Sequence, residues 1–161
     1  MTSLDKARAL ALAVPAALLA GAYGSQYVGG LYPCEMCYWQ RWPHFAAIAF
    51  ALISFALRRA ADRGRSFVWL AALAILVSGA IGVYHAGVEA GIFPGMTQCT
   101  ARPSSGSGAD ILADIMATPL VRCDEVQWSF LGISLAGWNA IFSIGFGLAI
   151  AWLSLRRPRA A

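Results

Sequence analysis

The sequence predicts an all-α membrane protein: a four-transmembrane-helix bundle with two outward loops, the second carrying a short interfacial amphipathic helix. Three observations predict it. Of 161 residues, 59% are hydrophobic and only 12% charged, about half the charged fraction of a soluble domain. The charges fall so as to leave four apolar windows, Ala9 to Cys34, Trp42 to Leu57, Ser66 to Val88 and Val126 to Leu155. Basic residues crowd the segments that join these windows on one side and are sparse on the other. A span needs roughly 20 apolar residues to cross about 30 Å of hydrocarbon, so each window holds one helix and none holds two. The helices are expected at about 9–29, 39–57, 66–86 and 134–155, with outer loops at about 30–38 and 87–133, in a single domain.

The first helix follows Lys6 and Arg8, and LLAGA within it offers small residues of the kind a signal peptidase uses. Its uncharged run is far longer than the usual signal-peptide core of about 7 to 15 residues, so it is read as a retained span. The second window is too short to cross the hydrocarbon unaided, so its helix extends back through Arg41 toward Cys37. Pro43 suits a first helical turn, where its missing donor is harmless. Both constraints place Cys37 at the helix start, with Arg41 one turn on at the outer membrane edge. Gly79 and Gly82 in the third window, and Ser134, Gly137, Ser143, Gly145 and Gly147 in the fourth, suit close helix packing in lipid. In the second outer loop, PSSGSGAD (103–110) reads as a flexible tract. ADILADIMATP follows it, with Ile111, Leu112, Ile115 and Met116 on one helical face and Asp110 and Asp114 on another, as in a helix lying on the membrane surface.

Orientation follows from the basic residues. Lys6, Arg8, Arg58, Arg59, Arg63, Arg65, Arg156, Arg157 and Arg159 fall on one side, and Arg41, Arg102 and Arg122 on the other. The richer side is cytoplasmic, which puts both termini in the cytosol and both loops outside. Trp39, Trp42 and Trp128 fall near the outer interface, and Trp69 and Trp152 near the inner one. The net charge of +4 is thus largely topological. With no Gly-rich phosphate loop and no basic-aromatic stripe, no nucleic-acid partner is expected.

All four cysteines, Cys34, Cys37, Cys99 and Cys123, lie in the two outward loops, on the side where disulfides persist. In the chain-entropy model a Cys34 to Cys37 bridge would stabilise by only about 2 kcal/mol, whereas Cys99 to Cys123 would give roughly 3.5 kcal/mol. The first is a poor staple, but its CxxC spacing lets two thiols open and close readily. A helix N-terminus and the Arg41 guanidinium one turn away both favour the thiolate of Cys37. A passive bridge or a zinc half-site is the plainer reading, but the wide spacing of Cys99 and Cys123 is not that of a zinc ribbon, and no metal is expected. His85, near the outer end of the third helix in GVYHAGVEAG, is a candidate proton donor. His44, one turn into the second helix, is read as an ordinary interfacial residue.

CEMCYWQR leading into an apolar helix, two cysteines in a long second outer loop, and VQWSFLGISLAGWN entering the last helix resemble the disulfide bond formation protein B family. These are thiol:quinone oxidoreductases of the bacterial inner membrane. The resemblance implies that a Cys99–Cys123 disulfide oxidises a periplasmic thioredoxin-fold dithiol protein of the DsbA type. Cys99 would form the mixed disulfide and Cys123 would exchange with Cys34. The Cys34–Cys37 pair would then pass two electrons to ubiquinone or menaquinone, with Cys37 meeting the quinone, Arg41 polarising a ring oxygen and His85 near it. Two other readings remain: a vitamin K epoxide reductase-like enzyme, whose CxxC would stand late in the chain, and a non-catalytic membrane protein with two structural disulfides.

Overall fold

The computed structural model describes residues 2–95 and 121–156. Cys99, the tract 103–110 and the expected amphipathic helix lie outside the described residues. The described chain forms helices α1 (Ser3–Tyr27), α2 (Glu35–Ala56) and α3 (Arg65–Glu89), a two-residue hairpin of β1 (Ser129–Phe130) and β2 (Ile133–Ser134), and helix α4 (Leu135–Leu155).

Three of the four helices, α1, α3 and α4, are long and apolar enough to cross a membrane, and the protein is a membrane protein. At 22 residues, α2 is about 33 Å long and has the length of a span. What it lacks is apolarity, because Gln40, Arg41 and His44 stand in its first half. Those three side chains are buried inside the bundle, while Leu73, Val83, Ile141 and Leu148 are exposed on its surface. A polar interior with an apolar exterior is the arrangement lipid demands.

Local chemistry moves several boundaries from their expected places. The first helix begins at Ser3, not near residue 9, because Thr2 and Asp5 form a reciprocal capping box. Arg8 within it is no barrier, being 2% exposed and bonded to Ser54 Oγ at 3.0 Å and to the Arg63 carbonyl at 2.6 Å. The second helix begins at Glu35, not 39, with Cys34 as its N-cap. Pro43 is therefore well inside the helix and not in its first turn, where it denies the carbonyl of Trp39 its usual donor. The third runs three residues past 86, to Glu89. The hairpin, not foreseen in an outer loop expected to run to about 133, turns through Leu131 and Gly132, both at positive φ (53° and 76°), as a tight two-residue turn requires.

Packing divides the bundle lengthwise. One half has an apolar core of small residues, including Ala7, Ala11, Ala47, Ala51, Ala71 and Ala72, closed by Val68, Ile75 and Ile150. Along the α3–α4 seam, a Cβ on Gly82 would stand 3.0 Å from the Ala136 carbonyl, and one on Gly79 would meet Ile144 at 2.8 Å. Gly147 similarly accommodates Leu76 at 2.8 Å. Gly145, grouped with them on sequence, has nothing within 4 Å of a built Cβ and takes no part in the seam. The other half is polar inside and holds Cys34, Cys37 and Cys123.

Candidate functional site

The CxxC motif is built into a helix start. Cys34 occupies the N-cap with extended backbone (φ −76°, ψ 173°), and its sulfur accepts the backbone N–H of Cys37 at 3.4 Å. The motif spacing is thus that of a capping residue and the third residue of the first turn, with a thiol where serine or aspartate usually stands. The two sulfurs are 3.0 Å apart. Cys34 is buried and Cys37 half-buried, and both carry free thiols, as does the buried Cys123.

Cys123 arrives from the far side of the sequence. The segment before the hairpin lays it into a small cluster with Cys34, Met36 and Val88, flanked by Cys37, Tyr84 and Val121. Its thiol is a hydrogen-bonding neighbour of Cys34. The first-loop pair and one second-loop cysteine therefore meet in one place. The hydrogen bond shared with Cys37, together with burial, pushes the Cys34 thiol well above its ordinary range. Beside Cys123, the exposed Arg122 guanidinium grips Asp124 with bonds of 2.9 and 2.5 Å, which holds that carboxyl below its usual range.

Arg41 stands one turn beyond Cys37 and is 7% exposed. It reaches α1 and not open solvent. Nη1 donates to Gln26 Oε1 at 2.6 Å and Nη2 to the Ala22 carbonyl at 3.2 Å. The guanidinium lies over Tyr23 at 4.7 Å and Tyr38 at 5.3 Å. Its Nε is buried without a hydrogen-bond partner. His85, 3% exposed, directs Nε2 toward Cys34 Sγ at 3.5 Å and Glu89 Oε1 at 3.8 Å. Its Nδ1 accepts from Gln40 Nε2 at 2.8 Å, which leaves the hydrogen of a neutral ring on Nε2, facing the sulfur. The sulfurs of Cys34 and Cys37 and a ring nitrogen of His85 lie within 4.8 Å of one another, a soft donor set suited to thiol chemistry. Glu89 is held in turn by the Ser134 hydroxyl at the start of α4.

Sequence reasoning passed over a second layer. Gln40 Oε1 accepts from Asn139 Nδ2 at 2.8 Å, and Asn139 also meets Ser78 and Ser143. His44 is 3% exposed, not interfacial, and bonds Asn139 Oδ1 at 3.0 Å. The available signal was spacing: Cys37, Gln40, Arg41 and His44 fall at helical intervals on one face, so a polar face on an apolar helix had to turn inward.

These groups surround one cavity of ≈ 230 Å³. Cys34, Cys37, Arg41 and His85 all line it, together with small residues of α1 such as Gly21 and Ala22 and aromatic side chains of α4 such as Trp138 and Phe142. A flat, mostly apolar molecule with one or two polar oxygens suits such a lining.

Comparison with known proteins gives a consistent family. The family model described as Disulfide bond formation protein DsbB matches residues 5–153. The chain is 28% identical to a Disulfide bond formation protein B of Hahella chejuensis over 89% of this chain and 89% of the relative. It is 32% identical to the protein of that name from Aromatoleum aromaticum, covering 80% of this chain and 79% of the relative. A third, from Paracidovorax citrulli, is 30% identical across 96% and 90%. No solved structure matches the chain.

Proposed function

The chain belongs to the disulfide bond formation protein B family, and from that membership we propose that it is a protein-thiol:quinone oxidoreductase of the bacterial inner membrane. In this reading α2 is the fourth span, the termini are cytoplasmic, and the cysteines face the periplasm. The observation that carries it is the convergence of Cys34, Cys37, Arg41 and His85 on one cavity, with Cys123 packed against Cys34 beside it.

The electron path runs inward. A reduced DsbA-like partner attacks the Cys99–Cys123 disulfide, and Cys99 carries the mixed disulfide. A second partner thiolate displaces Cys99, leaving the partner oxidised and Cys99 and Cys123 reduced. Exchange of Cys123 with the Cys34–Cys37 bridge restores the Cys99–Cys123 bond and leaves two thiols at Cys34 and Cys37. Closing that bridge again releases two electrons and two protons.

A membrane quinone, ubiquinone or menaquinone, accepts both and leaves as the hydroquinone. The site fits such an acceptor on one point of this structure: Arg41 Nε–H is a buried donor with no partner, beside an apolar cavity. Both cysteines line the cavity, and Cys37 is the less buried residue of the pair, so it is the one that meets the acceptor. Arg41 supplies positive charge to the thiolate and a donor to a ring oxygen. His85 Nε2–H supports negative charge on Cys34 as the pair opens.

The test follows quinone absorbance in purified protein supplied with a reduced thioredoxin-fold dithiol. Ubiquinone or menaquinone is expected to be reduced only when both the dithiol and Cys37 are present, with Cys37→Ser abolishing turnover. Folded, thiol-competent protein that reduces neither quinone would leave two structural disulfides as the better reading.

A further inference from the structure

His44 takes no part in the reaction just proposed, yet it lines the same cavity one turn beyond Arg41. Its tautomer can be read from its neighbours. Asn139 Nδ2 donates to Gln40 Oε1 at 2.8 Å and to the Ser78 carbonyl at 3.3 Å, so the atom it turns toward His44 is the acceptor Oδ1. Ser78 spends its hydroxyl hydrogen on the Gln40 carbonyl at 2.8 Å, so it also offers His44 only an acceptor. His44 Nε2 lies 3.0 Å from the first and 2.9 Å from the second. Between two acceptors, Nε2 carries the hydrogen.

The other nitrogen follows from this. A neutral ring protonated at Nε2 has a bare lone pair at Nδ1, and Nδ1 of His44 is buried with no hydrogen-bond partner. Buried acceptors are seldom left so. Among the described residues only three buried side-chain atoms are unpartnered, and two of them, Arg41 Nε and His44 Nδ1, belong to residues lining this one cavity. One is a donor and the other an acceptor, which is not the complement of a quinone. Both oxygens of a quinone ring accept, whereas each hydroxyl of a hydroquinone also donates.

We propose that His44 Nδ1 accepts a hydrogen bond from a ring hydroxyl of the hydroquinone, so that the cavity binds the reduced form of its acceptor more tightly than the oxidised form. Asn139 is the positioning residue that holds the ring in the required tautomer. The proposal rests on the quinone-reductase reading above and deepens it. A buried hydrogen bond of this kind corresponds to about tenfold in affinity. By linkage, a tenfold preference raises the two-electron potential of the bound couple by about 30 mV, drawing electrons out of the thiols.

Binding of ubiquinone-1 and ubiquinol-1 is measured by quenching of tryptophan fluorescence in full-length Cys37→Ser protein, which cannot turn over. Adding His44→Leu is expected to weaken ubiquinol-1 about tenfold and ubiquinone-1 by less than about twofold. His44→Asn, whose side-chain oxygen can stand in for Nδ1, is expected to recover most of the loss. Equal weakening of both forms, or of neither, would overturn the proposal. A second readout needs no substitution at His44. The nitrogen-15 resonance of its Nδ1 is expected to report an unprotonated nitrogen that shifts when ubiquinol-1 is added, and a protonated Nδ1 or an unmoved resonance at saturation would overturn it as well. If wild-type protein still reduces ubiquinone or menaquinone with dithiol, only the role of His44 falls; if it reduces neither, the oxidase reading falls too.

Discussion

Cys34 and Cys37 differ by three positions and by nearly everything that governs a thiol's reactivity. Cys34 is 3% exposed, receives the Cys37 N–H, and shares its proton with the Cys37 sulfur. Its raised pKa means that, at a given pH, less of it is thiolate, and the thiolate is the nucleophile. Iodoacetamide added to the reduced protein at pH 8 is therefore expected to label Cys37 at least tenfold faster than Cys34. Labelling of Cys34 should rise only at strongly alkaline pH or on unfolding, as peptide mass spectrometry would record. Equal rates at pH 8 would mean that the two thiols are not distinguished by their surroundings. That Cys34, Cys37 and Arg41 come together was legible because a CxxC beside a cation at a helix start is a local pattern. Asn139 was not, since its partners are 61 and 99 residues away and asparagine in an apolar helix has no period that betrays it.

At the scale of the element, apolar windows marked the helices but not their ends. Ends are decided by caps: Thr2 with Asp5 at α1, the unusual cysteine cap at α2, and Ser134 at α4, whose hydroxyl accepts the Gly137 N–H at 3.1 Å. The same windows explain why α2 reads as the weakest span, for the polar residues that lower its hydropathy are those that build the site. Gly21 of α1 is among the residues lining the cavity, and a Cβ there would have nothing within 4 Å, so a side chain added at that position has open space to enter. Gly21→Leu is expected to fill that space, weakening ubiquinone-1 binding more than tenfold with little change in thermal stability. Unchanged binding in the folded variant would place the ligand elsewhere.

Across the whole molecule, the reactive end is balanced by a latch at the other. Arg8 of α1 is bonded to Ser54 of α2 and to the carbonyl of Arg63, while Ser54 donates to the Gly64 carbonyl at 2.8 Å. Gly64 has φ +70°, and a Cβ there would approach the Ser54 carbonyl to 2.6 Å, so glycine is the residue this close turn requires. Arg8→Ala is expected to cost about 2 kcal/mol of stability in detergent, read as a lower midpoint of thermal unfolding. Thiol-dependent quinone reduction at low temperature should remain near wild type, since the latch is remote from the sulfurs. Loss of turnover in a still-folded Arg8→Ala protein would show the two ends to be coupled.

The position of Asn139 also sets an order of assembly. The residue that joins Gln40 to His44 belongs to α4, made after the other three described helices, while both thiols of the CxxC stand at the start of the second. A nascent chain thus carries its cysteines into the membrane about a hundred residues before the side chain that organises their surroundings is made. Until α4 inserts, Gln40 and His44 have no partner from that helix, and the α3–α4 seam has no second face. The polar network around the CxxC is therefore complete only once α4 has inserted, so a chain interrupted before α4 would hold Cys34 and Cys37 without Asn139.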